Sequence, residues 1–349
     1  MRRTQKPQIR DAAWASELPI LPFCLLPLIV GIAFSRACGA VGEDAQRPTV
    51  IVVVGAAGTP EFGAQFAQWA GLWKEACERG GAQFAAIGLE ETGGSDDRAL
   101  LRQMLAGQSR QGAAALWLVF LGHGTFDGRT AKFNLRGPDV SADDLAEWLR
   151  SFSRDLVIIN AASSSAPFLN TLPGPNRVVI TATKSGFEQN YARFGGYLAK
   201  AIAESQADLD KDGQTSLLEA FLTASARVEE FYSGAGRLAT EHSLLDDNGD
   251  GLGTRADWFR GIRPVQEAAD GASLDGYRAH QFHLVRSEAE NRMPPQLRRE
   301  RDRLELDVVK LRDMREDLSD AEYFPRLEKL LCEIAQIYER TDTAEGDLE

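Results

Sequence analysis

Short apolar segments alternate with amphipathic segments from residue 48 onward, and this alternation restricts the fold of the chain more than any other feature. The apolar segments, each short enough for one strand, are residues 50–54, 83–87, 114–121, 156–160 and 178–181. Helical periodicity is found between and after them, in residues 60–79, 98–106, 141–152 and 191–206. Strand–helix alternation of this kind predicts an α/β domain over residues 46–206, with a mostly parallel sheet and helices on both faces.

The start of the chain has a different pattern, typical of an export signal. Four basic residues lie within the first ten, an apolar segment follows at residues 18–34, and small residues come next. Three prolines within the apolar segment make it a poor membrane-spanning helix. We therefore expect residues 1–45 to be an export signal and leader, and the rest to lie in the periplasm, outside the cell or at its surface. An uncleaved segment would instead leave the protein anchored in a membrane.

The charge of the chain excludes one class of partner. Its formal net charge is −12, whereas proteins that bind nucleic acids generally present a basic face. We therefore expect no nucleic-acid partner. The four cysteines are widely spaced and show neither a disulfide framework nor the spacing of a zinc site.

Residues 208–219, with the sequence DLDKDGQTSLLE, have the spacing of an EF-hand calcium loop. Oxygen ligands recur at alternate positions, a glycine occupies the sixth position, where the chain turns sharply, and a glutamate occupies the twelfth. The predicted ligands are Asp208, Asp210, Asp212, Gln214 through its carbonyl, and Glu219. The spacing predicts Ca²⁺ as a cofactor.

Residues 246–257, with the sequence DDNGDGLGTRAD, repeat this spacing. The predicted ligands are Asp246, Asn248, Asp250, Leu252 through its carbonyl, and Asp257. The shorter Asp257 side chain reaches an ion less easily than glutamate, so we expect a weaker site. The eighth positions hold Thr215 and Gly253, where paired EF-hands usually have an aliphatic residue. The segment 207–263 is therefore compatible with a structural calcium module as well as with a sensor pair.

Candidate catalytic residues follow two of the predicted strands. His123 and Gly124 come directly after the strand at residues 114–121, and Ser163 follows the strand that ends at residue 160. Ligands and chemistry gather beyond the carboxyl ends of strands in parallel sheets. There a histidine can act as a general acid and base beside an exposed backbone N–H. A hydrogen-bonded structural histidine is the alternative interpretation.

The order of a His-Gly pair followed by a candidate nucleophile resembles that of the caspase and legumain-like peptidases, over residues 48–206. In those families one strand ends in His-Gly, and about 40–50 residues later another ends in Ala-Cys-x-Ser-Gly. The chain has His123 and Gly124, and then ASSSA at residues 162–166, which places Ser163 at the cysteine and Ala166 at the glycine. A register one residue earlier would place Ala162 at the nucleophile.

The resemblance implies a peptidase of the C13 type, or a protein derived from one, that acts on peptide or protein substrates. It assigns His123 as the acid and base, Gly124 N–H to the oxyanion hole, and Ser163 as the nucleophile. A serine hydroxyl is much harder to ionise than a thiol and needs an oriented histidine in direct contact. Two functions therefore stay open: weak peptide hydrolysis, or an inactive pseudoenzyme that serves as a calcium-stabilised binding or scaffold module.

The last part of the chain is predicted to be helical. Residues 294–341 have the pattern of two helices broken near Ser319, which indicates a helical hairpin that packs on itself or on a protein partner. Residues 264–293 show no clear periodicity and are interpreted as a linker. Residues 342–349 form an acidic tail.

Overall fold

A computed structural model of the protein describes residues 47–89, 96–265 and 274–346, with side chains up to residue 341. The predicted export signal and leader, residues 1–45, lie outside the described residues. The strands are β1 Thr49–Val54, β2 Gln83–Ile87, β3 Leu116–Leu121, β4 Gly124–Phe126, β5 Ala131–Phe133, β6 Val140–Ser141, β7 Leu156–Asn160, β8 Arg177–Thr181, β9 Leu244–Asp246, β10 Thr254–Arg255, β11 Phe259–Arg260 and β12 Arg263–Pro264. The helices are α1 Pro60–Gly80, α2 Asp97–Ala106, α3 Ala142–Leu149, α4 Ala166–Thr171, α5 Phe194–Ala201, α6 Leu217–Gly234, α7 Tyr277–His280, α8 Glu288–Arg292, α9 Pro295–Asp313 and α10 Asp320–Gly346.

The centre of the fold is a seven-stranded sheet in the order β10-β9-β8-β7-β3-β1-β2. Strands β2, β1, β3, β7 and β8 pair in parallel, while β9 and β10 are antiparallel at one edge. The sequence prediction of a mostly parallel α/β sheet is confirmed. All six residues of β3 are buried, which explains its continuously apolar sequence.

Two hydrophobic layers cover the two faces of this sheet. Side chains of α1, α5 and α6 pack on one face and form the larger cluster. Side chains of α2, α3 and α4 pack on the other. Alternate strand residues contribute to opposite layers, as Val52 and Ile51 of β1 do. Helices therefore lie on both faces, as the sequence predicts.

Side-chain caps explain why several helices begin where they do. Ser141 and Ser216 each accept a hydrogen bond from the third helical residue, and the carboxylate of that residue accepts from the serine N–H. Such a capping box satisfies two backbone N–H groups that the helix leaves unpaired. Thr59 caps α1, which ends at Gly81 in the left-handed conformation.

The sheet continues beyond residue 206, where the sequence pattern of the α/β domain ends. Strands β9 and β10 come from the segment predicted to bind calcium, and β9 pairs with β8. The predicted helix 191–206 is shorter, because α5 covers only Phe194–Ala201. The segment interpreted as a linker contains α7 and α8.

The predicted helical hairpin is present as α9 and α10, joined by a short turn at Arg315–Asp317. Leu297, Leu304 and Ile337 form its small core with Met293. Helix α10 reaches Gly346, so it extends into the segment interpreted as an acidic tail. A protein partner for this hairpin stays a prediction. Among the described residues, no helix combines the length and apolar character that a membrane crossing requires.

The buried strand β3 provides a test of this core. Leu118 has no exposed surface and lies in the middle of the sheet, whereas Leu238 is 90% exposed. We expect Leu118→Ala to lower the free energy of unfolding by about 2–5 kcal/mol, since it removes buried methyl groups and leaves a cavity. Leu238→Ala should change it by less than about 0.5 kcal/mol. Urea denaturation of both variants measures the difference, and equal effects would contradict the described packing.

Candidate functional site

The carboxyl ends of β3 and β7 bring the candidate catalytic residues to one edge of the sheet. These strands are neighbours, with Phe120 opposite Asn160, so the residues after them also lie side by side. Gly124 contacts the chain at Ser163 closely enough that a β-carbon there would lie 2.2 Å from the Ser163 carbonyl oxygen. Glycine at position 124 is therefore required by the close approach of the two segments.

The hydroxyl of Ser163 is engaged by the backbone of Gly124. Its Oγ accepts a hydrogen bond from Gly124 N–H at 3.2 Å and donates one to the Gly124 carbonyl oxygen at 3.2 Å. Only 3% of Ser163 is exposed. The hydroxyl proton therefore points to a carbonyl, and the N–H that the resemblance assigns to an oxyanion hole is occupied by the hydroxyl itself.

His123 is held in a defined orientation by a different group. Its Nε2 lies 3.2 Å from the carbonyl oxygen of Ala57, in the turn after β1. A carbonyl only accepts hydrogen bonds, so Nε2 carries the proton and Nδ1 is the acceptor of the neutral ring. The ring packs edge-on against Phe62 and Phe66, with centroids 4.9 and 5.2 Å away. This geometry leaves Nδ1 as the atom that could take a proton.

No hydrogen bond joins His123 to Ser163 within the part of the chain that the structure describes. Nucleophilic attack by serine requires its hydroxyl to donate to the histidine. The alternative register offers no nucleophile, because Ala162 is an apolar, fully buried residue. The structure thus brings His123, Gly124 and Ser163 to one edge without forming a His–Ser dyad, and their catalytic role stays a prediction.

The next residue, Ser164, has an unusual conformation. Its φ is 55°, in the left-handed region that side chains other than glycine adopt at a cost. Its N–H donates to the Glu188 carbonyl at 2.9 Å, and its hydroxyl is buried without a hydrogen-bond partner among the described residues. Ser165 differs, because its hydroxyl bonds to Thr183 at 3.1 Å.

A cavity of about 550 Å³ is lined by residues of α1, of α5 and of the segment before α5, and His123 is not among them. Phe62 and Tyr191 line it and also contact the His123 ring. Trp69 adds a further aromatic wall, while Arg193 and Lys200 supply positive charge at its border. Mostly apolar cavities of this size, with a few polar groups, are typical of ligand-binding sites.

In the first predicted calcium loop, the three aspartates converge. One carboxylate oxygen from each of Asp208, Asp210 and Asp212 lies within 4.8 Å of the others. Asp208 accepts the N–H groups of Lys211 and of the sixth-position glycine. Gln214, at the seventh position, bonds through its side chain to Asp212 at 3.0 Å.

Glu219 closes this loop through a specific set of hydrogen bonds. One carboxylate oxygen accepts the N–H groups of the second and third loop residues, Leu209 and Asp210, at 2.6 and 3.2 Å. The other accepts the hydroxyl of the ninth residue, Ser216, at 2.8 Å. The side chain of Glu219 is fully buried. It therefore links the start of the loop to its ninth residue, and its role as a calcium ligand stays a prediction.

In the second loop, the predicted aspartates have matching backbone contacts. Asp246 accepts the N–H groups of Gly249 and Gly251 at 2.9 and 2.6 Å, as Asp208 does in the first loop. Asn248 and Asp250 accept the N–H groups of residues 250 and 252 at 2.8 and 2.7 Å. The backbone of this loop thus follows that of the first.

The twelfth residue of the second loop, Asp257, does not take the place of Glu219. Its carboxylate pairs with Arg255 at 2.7 Å and is more than half exposed. Asp275 occupies that place, because it accepts the N–H groups of Asp247 and Asn248 at 2.8 and 3.1 Å. It also accepts the hydroxyl of the ninth loop residue, Thr254, at 2.6 Å. The closing carboxylate thus comes from outside the predicted twelve residues.

Burial perturbs the carboxylates of the second loop. Asp246 has no exposed surface and Asp275 is only 1% exposed. Burial raises the pKa of Asp246 to about 6. Burial and the nearby charge of Asp247 raise the pKa of Asp275 to about 8. The buried carboxylates repel one another, and a bound cation would relieve that repulsion.

No protein-family model and no curated protein sequence matches this chain. Among solved structures, it is similar to the Drosophila initiator caspase Dronc, with 13% identity, a TM-score of 0.39, and coverage of 61% of this chain and 84% of that one. It is also similar to caspase-1 from Spodoptera frugiperda, with 10% identity, a TM-score of 0.37, and coverage of 58% and 87%. A protein from Geobacter sulfurreducens gives 10% identity, a TM-score of 0.37, and coverage of 60% and 97%. These similarities concern the fold alone.

The raised pKa of Asp275 predicts a pH dependence of stability in the calcium-free protein. The folded state holds the Asp275 proton more tightly than the unfolded state, where the pKa has its ordinary value of 3.8. Stability should therefore fall as pH rises, with the loss complete above about pH 8. We expect the Tm measured in chelator to decrease between about pH 4 and about pH 8. Asp275→Asn should reduce this slope, to which the raised pKa values of Asp246 and Asp247 also contribute.

The matched control is Asp257→Asn, which alters an exposed carboxylate and should leave the slope unchanged. Differential scanning calorimetry at several pH values measures both variants. An equal slope in wild type and Asp275→Asn would contradict the described burial of this carboxylate.

Proposed function

We propose that this protein is a calcium-binding relative of the caspase and legumain-like peptidases that binds a peptide segment at the His123 edge without hydrolysing it. One observation carries the proposal. The Ser163 hydroxyl donates to the Gly124 carbonyl, while the His123 Nδ1 receives no hydrogen bond from a hydroxyl or thiol of the described residues. The ends of β3 and β7 therefore hold an oriented base, His123, and no nucleophile is in contact with that base among the described residues.

The sequence supports loss of the nucleophile in both registers. A cysteine would be deprotonated readily, since its ordinary pKa is about 8.5, whereas serine needs the histidine contact described above. Ser163 lacks that contact, and Ala162 has no reactive group at all. The base alone cannot form a covalent intermediate with a peptide carbonyl.

Binding of a peptide is supported by the cavity whose lining residues Phe62 and Tyr191 contact the His123 ring. Phe62, Trp69 and Tyr191 give it a largely aromatic wall, on which an apolar side chain could pack. Glu61 and Arg193 supply charges of both signs at its border, which would orient a bound segment. An aromatic wall and charges of both signs would allow this cavity to bind a peptide without a reaction.

Restoring a thiol tests the loss of activity. We expect wild type to leave a panel of fluorogenic peptides uncleaved, with or without calcium. Ala162→Cys or Ser163→Cys should gain cleavage at least about tenfold above background, because a thiolate needs less activation than serine. Adding His123→Ala to the active variant should abolish the gain, since the base is removed. Peptide hydrolysis rates measure each variant.

Circular dichroism of each variant confirms that folding is retained. Cleavage by wild type that is lost in Ser163→Ala would contradict the proposal and establish Ser163 as a nucleophile. If neither cysteine variant cleaves any peptide, the assignment of this edge as a former hydrolytic site is wrong.

We further propose that both loops bind Ca²⁺ as structural braces, the first closed by Glu219 and the second by Asp275. Support comes from the sequence spacing and from the equivalent hydrogen bonds of the two carboxylates. Hard cations such as calcium prefer carboxylate and carbonyl oxygens. Binding to the folded state alone would add its free energy to stability.

Substitution of the two candidate closing residues distinguishes them. We expect calcium to raise the Tm of wild type, and Glu219→Gln and Asp275→Asn each to weaken calcium binding at least about tenfold through loss of a carboxylate ligand. Asp257→Asn should bind calcium as wild type does. Calorimetric titration and thermal melts in calcium and in chelator measure these effects. Unchanged melts would show that the loops are not calcium braces.

A further inference from the structure

A second cavity, of about 540 Å³, lies at the amino ends of the parallel strands, whereas His123 follows the carboxyl end of β3. The chain segments that lead into β1, β3 and β7 form one side of it, at Pro48, Ala114 and Asp155. The segment from α7 to α9 forms the other side. Neither the calcium loops nor the proposed peptide site includes this cavity.

Positive charge is concentrated around this cavity, although the chain as a whole is acidic. Five of its lining residues are arginines and only two, Asp155 and Asp302, are acidic, in a protein with a formal net charge of −12. Three of these have carboxylate partners. Arg278 pairs with Asp155 at 2.5 Å, Arg298 with Glu290 at 3.0 Å, and Arg303 with Asp307 at 2.9 Å.

The remaining two arginines, Arg286 and Arg299, have no such partner. Neither guanidinium makes a hydrogen bond or an ion pair with any of the described residues. Arg299 is exposed, so water can solvate it, but Arg286 is partly buried. Burial, followed by the nearby charge of Arg298, lowers the pKa of Arg286, and the carboxylates of Glu290 and Asp302 offset this only in part. A partly buried cation that no carboxylate contacts directly is unfavourable, and an anion in the cavity would compensate it.

We propose that this cavity binds a small ligand bearing phosphate or carboxylate groups, through the guanidinium groups of Arg286 and Arg299. The planar guanidinium fork matches the paired oxygens of both kinds of group. Phe282 also lines the cavity and offers apolar surface to the remainder of the ligand. Its volume is in the range that small-molecule sites occupy.

Titration of the full chain with inorganic phosphate and with citrate, at constant ionic strength, tests this proposal. We expect at least one of the two to bind wild type with a measurable heat. Arg286→Met should weaken the Kd at least about tenfold, because it removes the buried fork. Arg299→Met should weaken it less. Arg237→Met, which changes an exposed arginine elsewhere on the chain, should bind as wild type does.

The two ligands distinguish phosphate from carboxylate recognition. If Arg286→Met does not fold, Arg299→Met carries the test, because its side chain is exposed and its loss leaves the core intact. Absence of binding by both anions would overturn the proposal. Equal weakening in Arg237→Met and the cavity variants would also overturn it, since that result indicates only general attraction of anions to positive charge.

Discussion

The parallel pairing of β3 with β7 determines where the candidate catalytic residues lie. Both strands are buried on both faces, and their register places the segment at Gly124 beside the segment at Ser163. The close backbone approach there leaves no space for a side chain on Gly124. The same approach brings the Gly124 peptide groups within hydrogen-bond distance of the Ser163 hydroxyl. The packing of these two segments therefore also directs the Ser163 hydroxyl to the Gly124 backbone instead of to His123.

The two predicted calcium loops are joined to the same sheet in different ways. The first precedes α6, which packs on one face of the sheet, and the second connects β9 with β10 at the edge strand. Asp247, in the second loop, accepts the N–H groups of Gly276 and Ala279 and so fixes α7. An ion in the second loop would therefore stabilise the sheet edge and the segment that carries the arginine-rich cavity.

Most of the fold could be predicted from the sequence, because buried parallel strands have continuous apolar segments and helices have capping serines. The strand at residues 83–87 and the strand at residues 156–160 have the predicted bounds. Asp275 could not be predicted from the loop spacing, which covers only twelve consecutive residues. It lies 29 residues beyond Asp246 and reaches the second loop through tertiary packing. Its only signal in the sequence is an Asp-Gly pair, Asp275 and Gly276, within residues 264–293, which show no clear periodicity. The contacts of Ser163 also depend on tertiary packing, because hydroxyl orientation is set by neighbours that local sequence does not specify.

We propose that the ends of β3 and β7 hold an oriented histidine, His123, but no activated nucleophile. Incubation of wild type with a fluorophosphonate, followed by mass spectrometry of the peptide that contains Ser163, tests this proposal, since only an activated serine reacts readily. We expect Ser163 to remain unmodified, because the His123 Nε2–H donates to the Ala57 carbonyl and no hydroxyl donates to Nδ1. A stoichiometric adduct on Ser163 that disappears in His123→Ala would contradict it.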